Sequence, residues 1–422
     1  MDRSTKERYI AVLERELVPA MGCTEPIAVA YAAALARDTL GVMPEKVELL
    51  VCGSIIKNAK SVVVPNTDGR KGLTVAAAAG IVFGNAESKL EVIAGASPDR
   101  LPGIDDFLSS AEVTLHDLDT KKMFDLTVRV YAGQSSAEVR IADRHTNVVL
   151  IKKDGVTVSA GDDSSLPEAD DADDGLNIKD IVEFADTVDI EAIRPVLTRQ
   201  INCNMAIAEA GITGKWGAGI GSILLSSYGD TVWNRAKAYA AAGSDARMNG
   251  CELPVIINSG SGNQGMTASI PVIVYARDQG CDDETLLRAL AVSNLVTIHL
   301  KSGIGSLSAY CGATSAGVGA GAGICYLFGG RFDRIAHTVV NALAIDSGMI
   351  CDGAKSSCAA KIASAVEAGL LGFQMSRQNS EFVGGDGIVI KGVENTIRAV
   401  SRVARNGMES TNEEIIRIMT GQ

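Results

Sequence analysis

The feature that most constrains the fold is one long stretch without a charged side chain, which runs from Ser302 to Gly330 (SGIGSLSAYCGATSAGVGAGAGICYLFGG). A stretch of this length must be removed from water, either in a membrane or in the core of a protein. Membrane-spanning helices are rich in Leu and Ile, whereas this stretch is rich in Gly and Ser. We therefore predict a helical hairpin buried in the core of a soluble protein, with no membrane partner.

Two periodicities divide most of the remaining chain. Between Lys89 and Gly155, alternating apolar residues predict short strands in KLEVIAG, AEVTLHDL, FDLTVRVYAG, AEVRIAD and NVVLIKKDG. One face of the third strand is apolar, which is typical of an antiparallel sheet with one buried side, and comprises Phe124, Leu126, Val128 and Val130. From Ile178 onward the apolar spacing is helical. We predict an α+β fold, in which a predominantly helical domain of Gly- and Ala-rich helices carries a smaller antiparallel β element in the N-terminal half.

Capping signals place two helices at the start of the chain. Ser4 and Glu7 form a capping box before the first helix. Thr24 is a predicted N-cap, and Pro26 lies in the first turn of a second helix, PIAVAYAAALARDTLG. That second helix is apolar nearly all round, so we expect it to be buried.

Changes in composition suggest four segments. Residues 1–45 hold the N-terminal helices, 46–158 an α/β region with the antiparallel strands, and 177–422 the helical domain. The segment 159–176 between them is acidic and without pattern, which predicts an extended linker or loop. A metal-binding loop is the alternative there, but the carboxylates do not follow an EF-hand pattern.

Charge and cysteine content limit the classes of function. The formal charge of −12 and the absence of a basic face argue against a nucleic-acid partner. The first residues, MDRSTKERYI, carry charge and no apolar leader, so we expect a cytoplasmic protein. Nine cysteines without secretory context favour packing, metal binding or catalysis over disulfides. The abundant small residues are compatible with a homodimer.

Three cysteines have unusual surroundings: Cys311 in AYCGATSAG, and Cys351 and Cys358 in CDGAKSSCAAK. Cysteine is among the most buried residue types, so core packing is the competing interpretation. Glycines lie next to two of them, and glycine allows backbone to approach a bulky group. A closed metal site or cluster has four protein ligands. Three thiolates therefore leave one position open, as a Lewis-acid catalyst requires.

These motifs resemble the alpha-chain family of iron–sulfur serine dehydratases. The matching features are the two cysteine blocks in the pattern Cys-x39-Cys-x6-Cys, and GCTEP near the N-terminus, which is similar to a hallmark of L-cysteine desulfidases within that family. The resemblance covers essentially the whole chain. It implies a [4Fe–4S] cluster held by Cys311, Cys351 and Cys358, with the fourth iron open to substrate. It also implies that Cys23 is the catalytic proton acceptor.

The surroundings of Cys23 and the C-terminal sequence both bear on the predicted site. Cys23 directly precedes a predicted helix N-terminus, where the helix dipole favours a thiolate, although Glu25 opposes this. In some serine dehydratases of the family a C-terminal cysteine fills the open iron position, whereas this chain ends RIMTGQ. Substrate, water or Cys23 must then occupy it. The remaining cysteines are predicted to be structural: Cys52, Cys203, Cys251, Cys281 and Cys325.

A Gly- and Ser-rich loop is the candidate substrate-binding element. PVIINSGSGNQGMTASIPV predicts a strand, a loop and a helix N-terminus, a geometry that favours an anion. The candidate residues, which would hold the substrate carboxylate, are Asn258, Ser259, Gly260, Ser261, Gly262 and Asn263. A tight structural turn and a pyridoxal-phosphate site are the alternatives.

The other polar residues near these motifs are given structural or solvated roles. His299 and His337 are predicted to be satisfied core groups, and His116 and His145 to face solvent. Lys57 and Asn58 follow a predicted strand and could reach a substrate carboxylate, but we favour solvated positions.

The predicted reaction is β-elimination from a small amino acid. A base removes the Cα proton of L-cysteine, sulfide leaves, and the product hydrolyses to pyruvate and ammonia. L-Serine dehydration by the same route is the nearest alternative. A pyridoxal-phosphate lyase would need a Schiff-base lysine, for which Lys355 and Lys361 are unconvincing candidates. A non-enzymatic amino-acid or redox sensor is the third alternative.

Overall fold

The computed structural model describes residues 1–120, 122–161, 163, 175–305 and 307–421. Most of the predicted acidic linker lies outside these residues. The α-helices are α1 (Arg3–Glu16), α2 (Thr24–Leu40), α3 (Gly53–Ala59), α4 (Leu73–Phe83), α5 (Pro102–Ser110), α6 (Ile178–Thr187), α7 (Ile190–Thr213), α8 (Ile220–Tyr228), α9 (Val232–Met248), α10 (Gly262–Gln279), α11 (Asp283–Ser302), α12 (Gly312–Leu327), α13 (Phe332–Ile345), α14 (Cys358–Arg377), α15 (Val393–Arg402) and α16 (Glu409–Thr420). The strands are β1 (Pro19–Met21), β2 (Lys46–Val51), β3 (Glu112–Asp117), β4 (Asp125–Ala132), β5 (Ser135–Ala142), β6 (Val148–Lys153), β7 (Val156–Ala160) and β8 (Pro254–Ile256).

Strands β2 to β7 form one six-stranded sheet in the order β3-β2-β4-β5-β6-β7. The predicted α+β class is confirmed, with one refinement: β2 and β3 are parallel, and the other pairs are antiparallel. The predicted buried face is present in β4, where Leu126, Val128 and Val130 are fully buried. Helix α2 packs on β4 and β5 and is buried nearly all round, as its composition predicts.

Three local predictions are wrong. The segment KLEVIAG is not a strand, because 3-10 turns cover Ala86–Glu91 and Lys89 adopts a left-handed backbone. Helix α1 is capped by Asp2, whose carboxylate accepts from the Thr5 amide, so the S-x-x-E pattern lies inside the helix. Thr24 is the first helical residue, and Cys23 occupies the N-cap position of α2.

The uncharged stretch forms one central helix and not a hairpin. Helix α12 is buried from Ala313 to Tyr326, and it packs against α10, α11, α13 and α14. Residues 307–311 are irregular and approach the segment before α14 through a bridge between Tyr310 and Ile350. Within the described part of the chain, no helix has the length and apolar content needed to span a membrane.

Backbones approach closely where α12 crosses α14. A Cβ placed on Gly317 would lie 2.2 Å from the carbonyl oxygen of Ala365, and one on Gly369 would lie 2.0 Å from the carbonyl oxygen of Gly317. Neither obstacle is a flexible side chain, so glycine is required for this separation. These two glycines therefore set the distance between α12 and α14.

Gly317→Ala tests this close crossing. We expect it to lower the free energy of unfolding by about 2–3 kcal/mol, because the new methyl group forces α12 away from α14. Chemical denaturation checks the change. Gly95→Ala is the matched control, since a Cβ there meets nothing within 4 Å, and it should shift stability by less than about 0.5 kcal/mol. Equal stability of the two variants would contradict the argument.

A short pair of strands joins the chain start to the helical part. β1 pairs antiparallel with β8, with Pro19 opposite Ile256 and Met21 opposite Pro254. Gly22 follows in a left-handed conformation, and its Cα lies so close to Pro65 that a Cβ would stand 2.7 Å from that ring. This turn directs Cys23 toward the loop that follows β8.

Candidate active site

One cavity of about 90 Å³ brings together the four cysteines that the sequence singles out, Cys23, Cys311, Cys351 and Cys358. Cys23 lies near the start of the chain, whereas the other three lie in its last third. The cavity is also lined by polar side chains, among them Glu25, Asn58, Arg247, Ser261, Asn263, Gln264 and Lys301.

Helix N-termini place three of these cysteines. Cys23 and Cys311 are the N-cap residues of α2 and α12, and Cys358 is the first residue of α14. Cys351 lies in the preceding loop, where its amide donates to the Ala309 carbonyl at 2.6 Å. Because the positive ends of three helix dipoles meet at one cavity, the site favours anionic groups.

The sulfur atoms at this cavity influence each other's ionisation. Contact with Cys311 and the nearby ammonium groups of Lys57 and Lys301 lower the pKa of Cys351, although burial opposes this. The same contact, followed by burial, raises the pKa of Cys311, and burial raises the pKa of Cys358. Negative charge is therefore favoured on Cys351, beside two lysines, and opposed on Cys311 and Cys358.

Both lysines are buried and lack a carboxylate partner among the described residues. The Lys57 ammonium donates to Asn412 Oδ1 at 2.7 Å and lies 3.5 Å from the Cys351 carbonyl oxygen. Lys301 donates to the Gly305 carbonyl. Burial lowers the pKa of Lys57 and lowers that of Lys301 to about 8. The prediction that Lys57 is solvated is wrong, because α16 covers it.

Cys23 is a hydrogen-bonded thiol and not a free thiolate. Its Sγ donates to Glu25 Oε2 at 2.9 Å. Burial, followed by the charge of Glu25, raises the pKa of Cys23 well above its usual value, although Arg247 acts in the opposite direction. The helix N-terminus alone does not ionise this sulfur, in agreement with the expectation that Glu25 opposes a thiolate there.

Glu25 connects Cys23 to Asn58, which lines the same cavity, and to His145, which does not. Its Oε1 accepts from Asn58 Nδ2 at 3.1 Å and lies 3.7 Å from His145 Nε2. The predictions that Asn58 and His145 face solvent are both wrong, since each residue is only 7 % exposed. The turn between β5 and β6 folds His145 under α2, an arrangement that a local pattern does not reveal.

Arg247 is the main residue that the sequence argument missed. It is 2 % exposed, its Nη1 donates to Asn263 Oδ1 at 3.1 Å, and its Nε has no hydrogen-bond partner in the described structure. A buried guanidinium with an unpaired donor is costly, which marks a place for an anion. The available signal was a charged residue in the otherwise Ala-rich helix α9, YAAAGSDARM.

The Gly/Ser loop has the predicted order of strand, loop and helix, and four of its six candidate residues line one of two cavities. Ser261 and Asn263 line the cysteine cavity. Ser259 and Gly260 line a neighbouring cavity of about 220 Å³. Asn258 is fully buried and donates to Asn294 Oδ1 at 3.0 Å, which makes it part of the fold. Gly262 packs against Val255 and Arg247.

The other cysteines and histidines lie away from the cysteine cavity. None of Cys52, Cys203, Cys251, Cys281 and Cys325 lines it. His299 pairs with Glu394 at 2.7 Å, His337 pairs with Glu381, and His116 is exposed beside Thr114. The prediction of a core position is wrong for His337, whose side chain is 46 % exposed.

The chemistry of the three clustered cysteines fits an iron–sulfur cluster. Among the described residues, no three His, Cys, Asp or Glu side chains are close enough to hold a single metal ion. A cluster differs because each cysteine binds a separate iron, so its ligands are spread around the group. Cys311, Cys351 and Cys358 surround one cavity, and two buried cations balance their charge.

Comparisons with known proteins show the family of this chain. Residues 136–417 match the family model described as serine dehydratase alpha chain. The chain is 54 % identical to a UPF0597 protein of Desulfitobacterium hafniense, over 99 % of this chain and 97 % of the relative. A UPF0597 protein of Lachnoclostridium phytofermentans is 48 % identical over 98 % and 99 % of the two chains, and one of Bacteroides thetaiotaomicron is 37 % identical over 100 % and 99 %. The chain belongs to the serine dehydratase alpha chain family, which is a family of lyases.

Proposed function

We propose that this protein is a lyase that converts L-cysteine to sulfide, ammonia and pyruvate by β-elimination. The observation that carries the proposal is the meeting of a candidate base, Cys23, a buried cation, Arg247, and three further cysteines in one cavity. A small amino acid requires these functions: a cation for its carboxylate, a base for its Cα proton and an acceptor for its leaving group.

Arg247 and its neighbours are proposed to bind the substrate carboxylate. A guanidinium presents donors in a planar fork that matches a carboxylate. Arg247 is held in place by Asn263 at the start of α10, whose free amides add partial positive charge. This arrangement directs the substrate Cα toward Cys23, because both side chains line the same small cavity.

Cys23 is proposed to accept the Cα proton. To act as a base its Sγ must first lose a proton, and Glu25 Oε2 is the acceptor within hydrogen-bond distance. The Arg247 charge lowers the pKa of Cys23 and stabilises the resulting thiolate, although burial and Glu25 raise it.

The leaving group departs on the opposite side of the cavity. Cys311, Cys351 and Cys358 are proposed to hold a [4Fe–4S] cluster, and when bound it supplies an open iron as a Lewis acid for sulfur. Lys57 and Lys301 place positive charge beside these cysteines and offset the negative charge that builds up there. The unsaturated amino acid that remains becomes an imine, which hydrolyses to pyruvate and ammonia.

L-Serine is the second candidate substrate, and the family model that matches residues 136–417 favours it. The same residues would bind its carboxylate and remove its Cα proton, and hydroxide would leave in place of sulfide. A thiolate is the better match for a soft acceptor set built on cysteine sulfur, so we propose L-cysteine as the preferred substrate.

Pyridoxal chemistry finds less support. The two candidate Schiff-base lysines, Lys355 and Lys361, both pair with Asp352, and neither lines the cysteine cavity.

Anaerobic turnover by purified protein tests the proposal. Sulfide and pyruvate are measured with L-cysteine and with L-serine, alongside iron and acid-labile sulfide content. We expect both products from L-cysteine. We expect Cys351→Ala to lower iron content and reduce turnover at least about 10³-fold, because the proposed cluster loses one of its three cysteine ligands. Cys203→Ala is the matched control, since Cys203 is partly exposed outside the cavity and should leave both measurements unchanged.

The negative outcomes differ. Pyruvate without dependence on Cys351 would remove the cluster from the mechanism. Binding of L-cysteine without any product would favour a sensor and overturn the proposed activity.

A further inference from the structure

Glu25 lies in the wall between two cavities. Its carboxylate lines the cysteine cavity, while His145, its neighbour at 3.7 Å, lines the larger cavity of about 220 Å³. The rest of this wall includes the Ser259–Gly260 backbone, and Thr24 Oγ1 donates to the Gly260 carbonyl at 3.0 Å. Cys23, Glu25 and His145 therefore form a line that crosses from one cavity to the other.

The structure holds His145 firmly at the far side of this wall. Its ring packs on Phe124 with centroids 4.6 Å apart. Gly260, in a left-handed conformation, approaches so closely that a Cβ there would lie 3.0 Å from His145 Cε1. The Nε2 atom is buried and has no hydrogen-bond partner within the described residues, and the Glu25 carboxylate is the charged group that it faces.

Burying a ring nitrogen without a hydrogen-bond partner costs free energy, so the position of His145 Nε2 beside a buried carboxylate calls for an explanation. The described residues offer His145 Nε2 no alternative acceptor.

We propose that Glu25 and His145 form a proton relay that carries the Cys23 proton out of the cysteine cavity and into the second cavity. The relay deepens the proposed function, on which it rests, because it supplies the step that makes Cys23 a base. His145 acts through Glu25 and does not contact substrate, so it is a positioning residue for proton transfer.

The transfers balance in two steps. The Cys23 S–H bond breaks, its electron pair stays on sulfur, and an O–H bond forms at Glu25 Oε2. The carboxyl group then turns about its Cγ–Cδ bond, the O–H bond breaks, and an N–H bond forms at His145 Nε2. The result is a Cys23 thiolate, a Glu25 carboxylate and a His145 imidazolium. Once Cys23 has taken the Cα proton, the imidazolium releases its own proton to water in the second cavity.

The charges around the relay favour its second step, from Glu25 to His145, and oppose its first step, from Cys23 to Glu25. Burial raises the pKa of Glu25, but interactions with His145 and Cys23 outweigh it and lower the pKa to about 2, so Glu25 is available as a carboxylate acceptor. Arg247 faces Cys23 and stabilises its thiolate. The titratable groups that face His145 and its cavity are balanced in sign. They are Glu25 from α2, Arg15 and Glu16 from α1, Asp143 and Arg144 from its own turn, and Lys301 from α11, and Asp143 is paired with Lys122.

The first test follows the pH dependence of turnover. The relay passes a proton through the imidazole of His145, so the pH profile of kcat should depend on this side chain. We expect His145→Gln to lower kcat about 10²-fold with little change in KM, and to alter the pH profile of the wild-type protein. His299→Gln is the matched control, because His299 pairs with Glu394 away from both cavities, and it should keep the wild-type profile.

The second test uses chemical rescue and thiol labelling. Imidazole should restore His145→Ala in a saturable manner, because the open second cavity admits it, and should leave His299→Ala unchanged. Labelling of Cys23 by iodoacetamide, followed by mass spectrometry, reports thiolate formation without turnover. We expect it to slow about tenfold in His145→Gln, and this variant also serves if the alanine variant does not fold.

The outcomes separate the relay from the proposed function. Wild-type pH dependence and labelling rate in His145→Gln, without imidazole rescue of His145→Ala, would overturn the relay while leaving the activity intact. A wild-type protein that forms no sulfide or pyruvate would overturn the activity, and the labelling experiment would still decide whether His145 controls Cys23.

Discussion

Replacement of Cys23 by alanine should lower kcat for sulfide release from L-cysteine about 10³-fold while iron content stays at the wild-type level. Cys23 Sγ lies in the cysteine cavity but is not one of the three proposed cluster ligands, so its loss removes only the proton acceptor. KM should change little, because the carboxylate is held by Arg247. Anaerobic steady-state kinetics and iron analysis on the same preparation check the prediction.

A second cysteine provides a matched control for Cys23. Cys52 is the buried N-cap residue of α3, as Cys23 is of α2, but its thiol donates to the Met123 carbonyl at 3.4 Å and does not line the cavity. Cys52→Ala should therefore leave kcat within about twofold. If Cys23→Ala lost its iron, or if both variants lost activity equally, Cys23 would be a structural residue and another group would have to be the base.

Replacement of Arg247 by methionine should reduce kcat/KM for L-cysteine at least about 10²-fold. Truncating one partner of a buried charge pair costs about 3 kcal/mol or more, and the partner here is the substrate carboxylate. The effect should fall mainly on KM if the pair forms equally in the ground and transition states. Kinetics with L-cysteine over a wide concentration range measure this division.

The stability of Arg247→Met distinguishes a binding role from a structural one. Because Arg247 is buried and its Nε is unpaired among the described residues, methionine of similar length should leave the thermal midpoint unchanged or raise it. Arg288→Met is the contrasting variant, since Arg288 pairs with Glu284 and donates to backbone carbonyls. It should lose stability and keep activity. Loss of stability in Arg247→Met with unchanged KM would contradict the carboxylate assignment.

The sequence predicted the members of the site better than their surroundings. Cys23, Cys311, Cys351 and Cys358 lie in motifs that resemble those of a known family, and the structure places all four at one cavity. Such signals are local, so they survive in a single sequence. Their assignment to a cluster and to a base remains a proposal.

Residues whose roles depend on distant segments were misplaced or missed. Lys57 follows a strand and resembles a solvated residue until α16 covers it through Asn412. His145 lies in a short turn whose burial depends on α2 and the loop after β8. Arg247 has no motif of its own, and only its burial with an unpaired nitrogen identifies it. None of these environments is encoded within a window of adjacent residues.

The fold shows the same division. Alternation correctly predicted β4, whose buried face packs against α2, but failed at KLEVIAG, where a left-handed Lys89 interrupts the extended backbone. The composition of the uncharged stretch correctly predicted burial. It could not separate a hairpin from a single helix, because helix–helix packing on all sides of α12 requires apolar residues in either arrangement.

The short pairing of β1 with β8 has a consequence for how the protein is made. Cys23 is aligned only when Pro19–Met21 meets Pro254–Ile256, a segment that leaves the ribosome after more than half of the chain has been synthesised. Pairings between such distant segments form slowly, because a long loop must close before any contact stabilises it. The nascent chain therefore carries an unassembled thiol through most of its synthesis.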